Sequence, residues 1–426
     1  MSKRWAWLLG IAVLISIGLL VACSSSYSPS SDGLVLVASQ QNQVIESFSF
    51  NLNSGSITQI GNPPATSGTP SAMVLDPAGA YAYVIINGSS VASFKVNSDG
   101  SLKATGNTIA DPNPTSLAMD AAGKFLFVAE GLGNIAAQNA TNNNTPCTQV
   151  LAPNVAPQYG VCVYTIGSGG SLTVANGAYV SPGTLQVANI VAVAATPTVF
   201  PTIGITGTQP AVCSSPGNNP PSSEFLYAVD SVNYQVWAFS VDTSTGALGN
   251  PTNHSQVQPF STGAVPSGVV VDPCDRFVYV SNYKDNTVNG FTICNGLSTQ
   301  NQHCPGTPDG TLWAITGSPF SLGAGLGPGP MAADPFGNFL YVLDQKSDQI
   351  TPFKIGSVSG GLTGQAPVNT GQIPTAIAIR GDGSWMFVSN FQSGNISQYS
   401  VIPASGTLSA LPAVATDNWP SGLAVK

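Results

Sequence analysis

The chain has 426 residues, of which 7% are charged and 43% hydrophobic, with 46 Gly and 33 Pro. So few Glu, Lys and Arg exclude a long helical bundle or coiled coil, and the apolar content excludes a disordered chain. Eleven Lys and Arg against 19 Asp and Glu exclude a basic nucleic-acid surface, which leaves a β-rich protein punctuated by Gly and Pro.

Residues 1–23 read as a signal peptide: Lys3 and Arg4 precede an apolar run from Trp5 to Ala22. Leu20-Val21-Ala22-Cys23 resembles the bacterial lipobox, which implies cleavage before Cys23 and lipid on its sulfur; an uncleaved anchor is the alternative. Several acyl chains hold a protein on a membrane far better than one. Ser24, where inner-membrane retention would favour Asp, points to the outer membrane. Without Lys3 and Arg4, 9 basic residues face 19 acidic ones, so neither nucleic acid nor an anionic bilayer attracts the protein. Residues 24–32 are a flexible tether, and 33–426 form the folded domain, expected to be a monomer. Six cysteines remain: Cys147, Cys162, Cys213, Cys274, Cys294 and Cys304. An even number in an exported chain favours disulfides, and local spacing favours 147–162 and 294–304, leaving 213–274. No C-x-x-C pair is present, so no metal or other cofactor is expected.

From residue 33 onward the chain repeats. Pro70 opens a strand that ends at Asp76-Pro77-Ala78-Gly79 and leads into Tyr81-Ala82-Tyr83-Val84. Pro114 opens a copy with Asp120 and Gly123 before Phe125-Leu126-Phe127-Val128. A looser copy begins at Pro210 and reaches Phe225-Leu226-Tyr227. Pro266 leads through Asp272-Pro273 to Phe277-Val278-Tyr279-Val280-Ser281-Asn282, and Pro330 through Asp334-Pro335-Phe336-Gly337 to Phe339-Leu340-Tyr341-Val342. Pro374 leads through Asp382-Gly383 to Trp385-Met386-Phe387-Val388-Ser389-Asn390. Each copy continues with a strand centred on an aromatic residue (Phe94, Tyr164, Phe239, Phe291, Phe353, Tyr399), a Gly-bearing turn and a short Leu-containing strand. The Asp-Pro-x-Gly element is a turn device: Asp accepts backbone N–H bonds two residues on, Pro fixes φ, and Gly takes positive φ.

The opening prolines lie 44, 96, 56, 64, 44 and 46 residues apart, ending at Pro420. A base unit of 44–46 residues matches a four-stranded propeller blade. The long interval is one unit plus insertions at 131–160 and 178–209; a degenerate eighth blade near 178–209 is the alternative. The chain starts with three strands of a unit (34–37, 48–50 and 56–60) and finishes with a lone first strand, Pro420–Val425. Pairing these shuts the ring and removes open sheet edges. The expectation is an all-β, seven-bladed propeller with four antiparallel strands per blade.

Tyr279-Val280-Ser281-Asn282, Phe387-Val388-Ser389-Asn390 and the Asp-Pro-x-Gly turns resemble the YVTN-type, lactonase-like seven-bladed β-propellers. That family includes the propeller form of 6-phosphogluconolactonase and the carboxymuconate cyclases. The resemblance covers residues 33–426; it implies the fold, and lactone hydrolysis as an activity to test.

In such a ring, one face gathers the loops after the second and fourth strands. The ends of the second strands supply a candidate ligand-binding mouth of Ser39, Asn87, Glu130, Asp230, Asn282, Asp344 and Asn390, with Lys284 and Lys346 in the following loops beside Tyr234, Tyr283 and Phe391. A polar mouth suits a hydroxylated ligand such as a glycan or another small molecule; a protein partner is also open. A lactonase needs a base to activate water, for which Glu130 or Asp230 are the candidates, with Asn282 assisting. No Arg/His/Glu constellation carries over from the enzymes of the family: Arg276 and Arg380 fall in turns of the opposite face, and His254 and His303 lie in long loops. The sequence by itself therefore favours a lipid-anchored binding or scaffold protein of the cell envelope, with an exported lactonase as the alternative.

Overall fold

Runs such as Phe277–Asn282 and Phe339–Asp344 form strands buried along their whole length. Both faces of such a strand are covered, because each sheet stacks between two others. The computed structural model describes residues 32–111, 113–131, 160–180, 189–196, 224–249, 259–295 and 309–426. Cys23, tether residues 24–31, Cys147, Cys213, Cys304, His254 and His303 lie outside the described residues.

The described residues form seven antiparallel sheets, and in three of them the outermost strand is broken into two short pieces that pair with the third. The innermost strands of blades one to seven are Pro420–Val425, Pro70–Leu75, Pro114–Met119, Ile190–Ala195, Pro266–Val271, Pro328–Ala333 and Pro374–Ile379. Each packs beside the next, and the circle closes. Blade one is shared between the chain ends: Pro420–Val425 pairs with Asp32–Ser39, Val35 opposite Val425 and Leu36 opposite Ala424.

Three expectations need correcting. The looser copy does not start at Pro210; its inner strand is Ile190–Ala195, paired with Glu224–Asp230, so the insertion at 197–223 falls within blade four. Residues 190–195 are thereby used, and no eighth sheet occurs among the described residues. Blade six opens at Pro328, opposite Asp344, and not at Pro330. The turn aspartates also reach further than two residues: Asp272 Oδ1 accepts from the N–H groups of Arg276 and Phe277, and Asp334 Oδ1 from those of Asn338 and Phe339.

The repeat carries its own blade-to-blade contacts. Tyr227, Tyr279 and Tyr341 donate their phenol hydrogens to the carbonyls of Gly310, Gly360 and Gly406, each in the third-to-fourth-strand turn of the next blade. Those glycines lie flat against the first aromatic ring of the preceding blade. A Cβ at Gly360 would sit 2.6 Å from Phe277, and one at Gly406 2.4 Å from Phe339. Near the axis, Thr115, Ser267, Thr375 and Ser421 donate hydroxyl hydrogens to the carbonyls of Ile190, Pro328, Pro420 and Pro70, the first residue of the following inner strand. Blade six has Gly329 at this position, and Gln345 Nε2 reaches in to donate to Pro374 O at 3.1 Å instead.

Candidate functional site

An inner strand begins where its neighbouring second strand ends, so both meet on one face. The ends of the second strands do not line an open mouth there. Ser39, Glu130, Asp230, Asn282, Asp344 and Asn390 are all buried. Asp230, Asn282 and Asn390 bind the backbone of the loop that enters the blade, whereas Ser39, Glu130 and Asp344 pair with a side chain of the third strand. Asn282 Oδ1 accepts from Gly263 N at 3.0 Å and Asn390 Oδ1 from Gly371 N at 3.1 Å. A Cβ on either glycine would fall within 2.7 Å of the Asn side chain. Exposed Asn87 does the same for Thr69 N at 2.7 Å. Asp230 Oδ1 takes the N–H groups of Asn189 and Val232, and its Oδ2 takes Asn233 Nδ2 at 2.6 Å. Buried and fully engaged, Asp230 is not placed to activate water, which corrects its candidacy as a base.

In blades one, three, five, six and seven a residue on the third strand completes the clasp from its side chain. Ser39 donates to Glu46, Thr351 Oγ1 donates to Asp344 at 2.5 Å, and Asn390 Nδ2 donates to Ser397 Oγ at 2.9 Å. In blade three the pair is Glu130 and Cys162, whose sulfur lies 3.1 Å from Glu130 Oε1. Asp111 joins them: the three ligand atoms lie within 4.8 Å of one another, and Tyr164 donates to Asp111 Oδ2 at 2.5 Å. Burial, then the neighbouring carboxyl, pushes Glu130 far above the ordinary carboxylate range; burial also raises Asp111. The pair therefore retains a proton at neutral pH. Cys162 is disulfide-bonded, as are Cys274 and Cys294; the expected pairings run to Cys147, Cys213 and Cys304, outside the described residues. A disulfide sulfur carries no proton, so the hydrogen in the Glu130–Cys162 contact comes from the carboxyl. It is also no thiolate, which leaves two carboxyls sharing a proton. Glu130, too, is thus withdrawn from water.

The rim of the mouth is built from residues that sequence reasoning missed. They are the residues immediately before each innermost strand: Trp419, Thr69, Asn113, Asn189, Val265, Gly327 and Ile373 in blade order. Every one uses its carbonyl to accept from the first N–H beyond the second strand, at 2.8–3.1 Å: Gln40, Asn87, Gly131, Ser231, Tyr283, Gln345 and Phe391 in the same order. The signal was in the repeat, as the residue before the opening Pro in every blade but the fourth. Trp419 and Ile373 are 48% and 41% exposed, and Trp419 stacks on Phe391 with ring centroids 5.7 Å apart. Tyr283 and Lys346 meet beside Gly327, the ammonium 4.4 Å from the ring centroid. The rim is thus two-sided: Thr69, Asn113 and Asn189 are polar, while the arc from Val265 through Tyr283 and Ile373 to Trp419 is apolar.

Charge on this face is sparse. Lys284 and Lys346 are exposed, as expected from the sequence. Arg276 pairs with Asp272 and donates to Ser357 O and Gly337 O on the far face, and Arg380 pairs there with Asp382. Asp348 and Asp285 each keep an oxygen free at the mouth. Asp348 accepts from Ile373 N at 2.9 Å through Oδ1 only, and Asp285 accepts from Ala264 N at 2.7 Å through Oδ2 only.

Ring closure and the seven-fold clasp define a seven-bladed propeller with one loop-rich mouth. The family model described as lactonase, 7-bladed beta-propeller, matches residues 30–176, 218–308 and 319–424, and the chain belongs to that family. No curated protein matches it. Among solved structures it is similar to the Pseudomonas aeruginosa periplasmic gluconolactonase PpgL, with 19% identity, TM-score 0.65, and 93% of this chain and 99% of that one covered. It is also similar to a proposed 6-phosphogluconolactonase of Bacteroides fragilis, with 18% identity, TM-score 0.64, and 94% and 99% covered. At these identities the likeness is one of fold.

Proposed function

We propose that the chain is an exported lactone hydrolase, held to a membrane by lipid on Cys23, with its site at the mouth rimmed by the residues before the inner strands. The observation that carries this reading is the lactonase family match running through the repeat to residue 424, with the mouth clasp intact in all seven blades. Hydrolysis requires a group that takes a proton from water as its oxygen attacks the lactone carbonyl. The ring C–O bond then breaks and the leaving alkoxide takes up a proton. Asp348, half-buried beside Ile373 with Oδ2 free, serves as the base. Lys346, in the same loop, supplies positive charge for the developing oxyanion.

Turnover of a lactone panel by purified residues 24–426 tests this. Asp348→Asn is expected to lower kcat by about 10²–10⁴, and Glu130→Gln to leave it within a few-fold. Loss of hydrolysis in Glu130→Gln with Asp348→Asn active would reverse the assignment. The burial of Glu130 and Asp230 favours a second reading, a non-catalytic envelope binding module. Consumption of no lactone at all would leave that reading in place.

A further inference from the structure

The second strand of blade one, Asp32–Ser39, runs from the far face to the mouth. Ser39 ends it at the mouth, and Asp32 pairs with Asn51 beside the turn into the fourth strand. Lys426 lies next to this entry: it exchanges backbone hydrogen bonds with Leu34, and its ammonium reaches Gly79 O in the far-face turn of blade two. The chain that carries Cys23 therefore meets the propeller on the far face, two strands in from the outer edge.

The link is short. Nine residue steps separate Cys23 from Asp32 and cover at most about 32 Å. To bring Cys23 level with the mouth, the link would have to pass the third and fourth strands, about 10 Å, and then climb the length of Asp32–Ser39, about 26 Å. That path exceeds its reach even before side chains and mouth loops are added. Charge is sorted in the same sense. Of the nine Lys and Arg after Cys23, Lys284 and Lys346 are at the mouth and the other seven lie toward the far face. There Arg276 and Arg380 are paired, which leaves Lys95, Lys103, Lys124, Lys354 and Lys426 exposed. Asp76, Asp99 and Asp242 are their accessible acidic neighbours, while Asp120, Asp272, Asp275 and Asp334 are buried. The net negative charge of the chain is thus an average over two unlike faces.

We propose that the far face is the membrane-facing surface of the protein. The link to Cys23 holds it against a phospholipid bilayer with its lysines toward anionic headgroups, and the mouth opens away from that bilayer into water. This rests on the lipid attachment in the proposed function and adds the direction in which the site faces. Substrate then arrives from the aqueous side, and the exposed Trp419 and Ile373 of the rim stay out of the membrane.

The test couples residues 23–426 through the Cys23 thiol to maleimide-headed lipid in vesicles of phosphatidylcholine and phosphatidylglycerol, with Cys23→Ser as the control for the coupling site. Relative to uncoupled protein, hydrogen exchange is expected to slow several-fold in the far-face turns 97–100, 242–246 and 356–360. Exchange in the mouth loops 283–286, 345–348 and 391–394 should not change. An insertion of about 20 Gly and Ser residues after Ser26, read in high salt, should abolish the slowing. Protection of the mouth loops, or of both faces alike, overturns the proposal. Slowing that is indifferent to phosphatidylglycerol overturns the part given to the lysines. The intact mass of the protein made in bacteria tests the anchor separately. An unmodified Cys23 would sink the native lipid while far-face protection in the coupled protein kept the face assignment; an acylated Cys23 with the mouth protected would do the opposite.

Discussion

At the scale of single residues, amides and hydroxyls that read as ligand contacts are spent on the protein's own backbone. Asn390 holds Gly371 N and Thr370 Oγ1 through one oxygen and gives its NH₂ to Asn395 and Ser397. Asn390→Ala would strand two of these donors, a loss of about 1–3 kcal/mol. Gly371→Ala would drive a methyl into Asn390 and is expected to cost a similar amount. Urea midpoints should drop in both, while KM for any lactone stays near wild type. Asn282 and Gly263 repeat the device in blade five, which marks it as architecture.

At the scale of elements, the repeat tolerates a missing part where another side chain replaces it. Gly329 lacks the hydroxyl that Ser267 and Thr375 use to bridge inner strands, and Gln345 bridges in its place. A Cβ at Gly329 would lie 2.7 Å from the Gln345 side chain, so the two solutions exclude each other. Gly329→Ser alone should destabilise by crowding, and Gln345→Ala alone by leaving Pro374 O unpaired. The double variant restores the pattern of the other blades and should recover most of the loss, a coupling of about 1–2 kcal/mol readable in a double-mutant cycle. Additive losses would show that the glutamine does not stand in for the hydroxyl.

For the molecule as a whole, buried acids set the pH response. Burial raises Asp334 and Asp344 to about 6 and Glu224 to about 8. Unfolded carboxyls titrate near 4. Between those values the native state holds protons that the unfolded chain has released, so stability falls as pH rises. The protein should be most stable near pH 4–5 and lose Tm progressively toward pH 8, opposite to a protein stabilised by paired carboxylates. Melts at fixed ionic strength check this. Asp344→Asn should flatten the slope between pH 5 and 7, because Asp344 Oδ1 is buried without a partner.

The number of blades, their turns and the closing strand were legible in the sequence, because each is written in local chemistry: Pro at a strand start, Asp and Gly in a turn, short apolar runs, and a lone first strand at the C-terminus. The register of blades four and six was less so. Ile190 opens an inner strand without proline, and Pro328 and Pro330 offer two starts of which only pairing opposite Asp344 selects one. Which polar residues meet solvent was decided by tertiary structure alone. A strand-end Asn looks the same in sequence whether it faces water or an incoming backbone N–H, and only the approach of the preceding loop turns Asn282 and Asn390 inward and leaves Trp419 and Ile373 at the rim.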